Sequence, residues 1–130
     1  MPRPKYKLFV YGTLKKGFPN HSYLREARYL GKAVTKDPYP LIAPKIFYPY
    51  LIDAKGEGYR VWGELYEIDY PTLKRIDRLE EYPRYYTRRT LEVIDHEGRT
   101  HEALSYFLAQ QIPYRHFRYL KSFEPKEQGA

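Results

Sequence analysis

The sequence predicts an α+β domain: a small, mostly antiparallel sheet, curved or closed into a barrel, with about two helices. Three observations lead there. Runs of strand length with alternating or two-sided apolar residues recur along the chain, as YKLFVY, YRVWGELYEI and the pair YTRRTLEVID and RTHEALSYFLA. The best helical spacing belongs to the single stretch DYPTLKRIDRLEEY. At 130 residues the chain has material for one hydrophobic core and not for two. The prediction is therefore one domain over residues 1–130, with a polar C-terminal tail from about 122 and no internal repeat.

Taken in order, residues 6–11 have apolar side chains on both faces, which predicts a central strand. A loop over 12–19 follows. Residues 19–27 predict one or two helical turns with Asn20 as N-cap, and 28–36 look extended. Residues 37–58 carry Pro38, Pro40, Pro44 and Pro49; proline cannot donate to a ladder, so short or edge strands joined by turns are expected. Tyr59 to Ile68 is the clearest long strand, and Gly63 in its middle permits a close approach by another backbone or a ligand. Asp69 is a cap-like residue and Pro71 falls in the first turn of the helix that follows, over 69–82. Two further strands flank His96-Glu97-Gly98 as a hairpin, and the last twenty residues are expected to dock and then fray.

The formal charge of +7 and a pI near 9.5 favour anionic ligands or surfaces, although the basic residues are scattered, densest in RYYTRRT (Arg84 to Thr90). Sixteen tyrosines bring many ring hydroxyls that need partners, which a polar-lined cavity would supply. With no cysteine there is no disulfide framework, thiolate metal site or cysteine nucleophile. The opening segment lacks a signal-peptide core and no run reaches membrane-spanning length, so a cytoplasmic protein without membrane contact is expected. One methionine, many Lys, Arg and Glu and 11 prolines make a thermophile-like composition. His21, His96, His101 and His116 lack ligand spacing, and His96 and His101 are expected to face solvent, so no metal and no cofactor are predicted.

One carboxylate stands out. At about 100° per residue, Leu73, Ile76 and Leu79 fall near 0°, 300° and 240°, and Glu80 near 340°, among them. Glu81, near 80°, should occupy a different environment. A carboxyl on a buried face loses hydration, and its pKa climbs toward the range useful for proton transfer unless Arg or backbone N–H groups hold it ionised. Arg75, Arg78, Arg84 and Arg88 are close in sequence, so a structural ion pair and a catalytic role weigh evenly for Glu80. Glu64, which could face a cavity or solvent, is a second candidate.

Two stretches, VYGTLKKGFPNHSYL (Val10 to Leu24) and IDRLEEYPRYYTRR (Ile76 to Arg89), with DPYPLI and WGELYEID between them, resemble the gamma-glutamyl cyclotransferase-like superfamily, most closely its gamma-glutamylamine cyclotransferase branch. The resemblance runs from about residue 8 to 108. It implies a small barrel with a cavity, in which the amides of Tyr11, Gly12, Thr13 and Leu14 hold a glutamyl moiety and Glu80 is the acid/base residue. Tyr86 and Arg88 match the motif's Tyr-x-Arg, and Tyr106 looks like a cavity tyrosine; Tyr86 and Tyr106 are expected to bind substrate and Arg88 to support the fold. The departure is Glu81, where the family often has a small residue. The implied reaction is attack by the α-amine of a gamma-glutamyl amine on its own γ-carbonyl, giving 5-oxoproline and free amine. The expected partner is thus a small-molecule gamma-glutamyl substrate, not nucleic acid, for a monomer or weak homodimer. The alternatives are a non-catalytic domain of the same fold that binds a glutamyl group or 5-oxoproline, and a basic nucleic-acid-binding module using Tyr85 to Arg89.

Overall fold

The computed structural model describes residues 4–45 and 48–124. Its strands are β1 (Lys5–Val10), β2 (Arg28–Thr35), β3 (Leu41–Lys45), β4 (Tyr48–Leu51), β5 (Trp62–Asp69), β6 (Tyr86–Asp95) and β7 (Thr100–Leu108), with one α-helix, α1 (Tyr70–Leu79), and 3₁₀ helices at Pro19–Leu24 and Tyr114–His116. Five strands close a barrel in the order β1-β5-β2-β6-β7, and β3 and β4 form a separate two-stranded sheet. Pairing is antiparallel except where β1 meets β7 at Leu8 and Leu104. The predicted fold class is therefore the observed one. No helix among the described residues is long and apolar enough to cross a membrane.

The two-sided apolar character of β1 follows from its place between β5 and β7. Phe9 joins Ala33, Leu65, Leu91, Val93, Ala103 and Phe107 in one buried cluster to which all five barrel strands contribute. The alternate residues Leu8 and Val10 join Tyr66, Ile68, Leu73 and Ile76 in a second, where α1 covers the sheet. Gly63 does permit a close approach, and the visitor is the neighbouring strand β1: a Cβ there would collide with the Val10 carbonyl oxygen and lie 2.7 Å from the Phe9 ring. The prolines of the central region sit as expected, Pro44 in β3 and Pro49 in β4, the two strands of a sheet with no third strand among the described residues; residues 46 and 47 lie outside the described residues.

Asp69 caps α1, its carboxylate accepting from the Thr72 amide at 2.9 Å, and Pro71 falls in the first turn. Three sequence-based expectations need correction. The segment after the first loop is a 3₁₀ helix with Phe18 at its N-cap and no side-chain cap; Asn20 instead donates to the Thr13 hydroxyl at 3.0 Å. The α-helix stops at Leu79, leaving Glu80 as its C-cap at φ −84°, ψ 0°. His101 does not face solvent: its Nε2 bonds the Asp95 carboxylate at 2.7 Å and its Nδ1 accepts from Lys7 at 2.9 Å, whereas His96 is exposed. The last segment docks through Phe123, which is buried and stacked on Phe18 at 5.3 Å; residues 125–130 of the expected polar tail lie outside the described residues.

Candidate active site

Where β1 ends, the chain leaves the ladder through Tyr11, Gly12, Thr13 and Leu14, and these residues form one wall of a cavity of about 360 Å³. The C-terminus of α1 supplies Leu79, Glu80 and Glu81, the start of β6 supplies Tyr85 and Tyr86, and the end of β7 supplies Tyr106. Lys45, Tyr48 and Pro49 of the small sheet complete the rim. All seven site residues expected from the sequence are thus brought to one cavity.

The loop wall is a set of uncommitted donors. Past the turn, Lys15 donates to the Gly12 carbonyl and Asn20 to the Thr13 carbonyl, yet the N–H groups of Gly12, Thr13 and Leu14 find no acceptor among the described residues. Successive amides freed from a ladder form a concavity that suits an anion. Gly12 is needed here for space: a Cβ would sit 2.8 Å from Pro49 Cγ. Glu64 is not part of this wall. It lies outside the cavity lining, with Oε1 accepting from the Lys16 amide and the Tyr66 hydroxyl, each at 3.0 Å.

Opposite that wall, Glu80 carries no hydrogen bond or ion pair from its carboxyl among the described residues. Burial alone pushes it up to about 7. None of the arginines near it in sequence pairs with it among the described residues: Arg75 donates to the Thr72 hydroxyl at 3.1 Å, and Arg88 takes Asp77, with Nε to Oδ1 at 2.6 Å and Nη2 to Oδ2 at 3.0 Å. Glu81, in the left-handed region at φ 52°, is exposed while Glu80 is mostly enclosed; the two neighbours differ as expected, but because the chain turns after α1 ends at Leu79 and not through a helix continued to residue 81. Both line the cavity.

The tyrosines are oriented by hydrogen bonds. The Tyr11 hydroxyl donates to the Tyr106 carbonyl at 2.6 Å, Tyr86 donates to the Pro49 carbonyl at 3.1 Å, and Tyr106 donates to Asp77 Oδ1 at 2.6 Å. Burial is the main reason that all three phenols are pushed well up, and the Glu80 carboxyl adds to each. RYYTRRT is accordingly divided: Tyr85 and Tyr86 turn to the cavity, Arg88 to Asp77 and Arg89 to Asp53 at 2.7 Å.

Asp77 is the residue that sequence reasoning missed. At about 40° from Leu73 it lies beside the apolar stripe on the same wheel that selects Glu80, so the signal was present. It is 4% exposed. Asn20, which ties the loop to the 3₁₀ helix, gives no comparable sequence signal.

The family profile described as "Gamma-glutamyl cyclotransferase, AIG2-like" matches residues 8–124. A putative gamma-glutamylcyclotransferase of Methanocaldococcus jannaschii is 44% identical over 101 residues, covering 77% of this chain and 82% of the relative. Gamma-glutamylaminecyclotransferase A of Danio rerio is 39% identical over 114 residues, covering 82% and 71%. The crystal structure of an AIG2-like protein from Mus musculus superposes with a TM-score of 0.85 at 34% identity, covering 92% of this chain and 88% of the other.

Proposed function

The chain belongs to the gamma-glutamyl cyclotransferase, AIG2-like family, and from that premise we propose that it cyclises a gamma-glutamyl amine to 5-oxoproline and free amine, with Glu80 as acid and base. The observation that carries the reading is one cavity lined both by a mostly enclosed carboxyl and by three amides, all without a partner among the described residues.

The reaction needs no outside nucleophile. The cavity holds the glutamyl chain folded so that its own nitrogen lies against its γ-carbonyl, where effective molarities of about 10⁵ M or more become available. Glu80 takes a proton from the α-ammonium, and the freed amine forms the new N–C bond. The carbonyl π electrons move onto oxygen, which the loop amides of Gly12, Thr13 and Leu14 stabilise. When that oxyanion collapses, the bond from the γ-carbonyl carbon to the departing nitrogen breaks as Glu80 returns the proton there. Two protons leave the α-nitrogen on its way from ammonium to lactam N–H and two arrive on the released amine, so Glu80 ends as it began. Tyr11, Tyr86 and Tyr106 shape the glutamyl pocket. A cytoplasmic setting and action as a monomer or weak homodimer belong to the same reading.

The test is a panel of gamma-glutamyl amines, followed by release of amine and formation of 5-oxoproline. Wild-type protein is expected to turn over at least one member, and Glu80→Gln to lower kcat by about 10²-fold or more while keeping the fold. Because the carboxylate form starts the reaction, kcat/KM should climb with pH and level off above about 7. No turnover across the panel, with 5-oxoproline still bound, would leave a ligand-binding domain of this fold instead.

A further inference from the structure

Resting on that reading, we infer that Tyr106 receives the substrate's α-ammonium on its hydroxyl oxygen, and that Asp77 is the positioning residue that fixes this sense of hydrogen bonding. A phenol has one proton to give. Tyr106 gives its proton to Asp77 Oδ1 at 2.6 Å, and the Arg88 guanidinium grips both oxygens of Asp77, with Lys74 a further 3.6 Å away from Oδ2. A carboxylate clasped in this way accepts and does not donate.

The other two phenols that feel the Glu80 carboxyl are committed in the same sense. Tyr11 and Tyr86 each donate to a backbone carbonyl, Tyr106 and Pro49 respectively, and a carbonyl can only accept. Burial, the largest cause in each case, keeps all three phenols protonated. The Leu51 amide also bonds the Tyr11 oxygen, so around Glu80 the cavity offers a ligand one carboxyl and the free lone pairs of Tyr86 and Tyr106. No ion pair from a protein cation reaches Glu80 among the described residues. An ammonium, with three hydrogens and a positive charge, satisfies that surround; a carboxylate or an oxyanion placed there meets the Glu80 carboxyl and the lone pairs of Tyr86 and Tyr106. Anionic oxygens of the substrate fall to the loop wall, where the amides of Gly12, Thr13 and Leu14 are unclaimed. The separation also brings the α-nitrogen to the base.

The test compares two ligands on the full chain: a gamma-glutamyl amine that wild type turns over, and the glutaric acid monoamide of the same amine, which lacks only the α-ammonium and serves as a competitive inhibitor. Tyr106→Phe keeps the ring and removes the acceptor. It should raise KM for the gamma-glutamyl amine about tenfold or more and leave the inhibition constant of the monoamide within about twofold. Asp77→Asn, which can donate to Tyr106 and turn its proton toward the cavity, should shift the ratio of the two constants in the same direction, and thermal unfolding reports whether the variant has folded. Parallel weakening of both ligands in Tyr106→Phe, or no change in either, overturns the inference and leaves the reaction standing. If wild type turns over nothing and binds neither ligand, the functional reading fails first and takes the inference with it.

Discussion

Glu80 sits where a carboxyl is least comfortable as an anion. It ends a helix, is largely enclosed, and has no cation or amide bonded to it among the described residues, so its pKa is raised from 4.5 to about 7 by desolvation. That shift is also a statement about folding. Between pH 4.5 and about 7 the folded chain keeps a proton that the unfolded chain has lost, so stability falls as pH rises through that window and the full cost is present above it. A glutamine of the same shape carries no such cost. Glu80→Gln is therefore expected to be more stable than wild type at about pH 8, by up to about 3 kcal/mol, with the advantage gone below pH 4.5. Urea unfolding at both pH values measures it, and equal stabilities at the higher pH would mean that the carboxyl is hydrated or paired after all.

The helix that carries Glu80 is also the element the sequence announces best. Asp69 and Pro71 mark its start, and Leu73 and Ile76 set a buried stripe, so its beginning and its inward face were legible in the sequence, whereas its end at Leu79, short of the expected 82, was not. The loop after β1 was readable from its motif, but the reason for Gly12 was not, because Pro49 approaches it from a strand 37 residues away. The same limit explains the other departures. Asn20 has the right chemistry for a cap, and the Thr13 hydroxyl, which tertiary folding brings to it, outcompetes the helix end. His101 looks like a hairpin surface residue until the barrel closes and brings Lys7 of β1 against it. Local propensity was legible, whereas contacts made by barrel closure were not. Since α1 presents Asp77 and Glu80 at its far end, its start should matter to stability more than to chemistry. Asp69→Ala, which removes the acceptor for the Thr72 amide, is expected to cost about 1 kcal/mol, seen as a lower urea midpoint at unchanged slope with kcat within about twofold. A midpoint equal to wild type would mean that water replaces the cap without loss.

At the scale of the molecule, the last described segment returns to the first loop. Leu120 donates to the Leu41 carbonyl of β3 and Lys121 accepts from the Trp62 amide at the start of β5, each at 2.8 Å. Phe123 then enters the cluster that fills the barrel, stacking on Phe18, while Lys15 reaches Glu124 at 3.6 Å. Phe18 and Lys15 belong to the loop whose first residues wall the cavity, so the C-terminal segment braces that loop from behind. A segment integrated in this way unfolds with the barrel, not before it. Phe123→Ala leaves a void at a position only 7% exposed. The expected cost is about 3 kcal/mol, at the low end for a buried phenylalanine. Fluorescence of Trp62 and far-ultraviolet circular dichroism should report one shared transition at a lower denaturant concentration. A midpoint unchanged from wild type, preceded by a separate early change in Trp62 fluorescence, would show instead that the last segment detaches on its own and that the barrel stands without it.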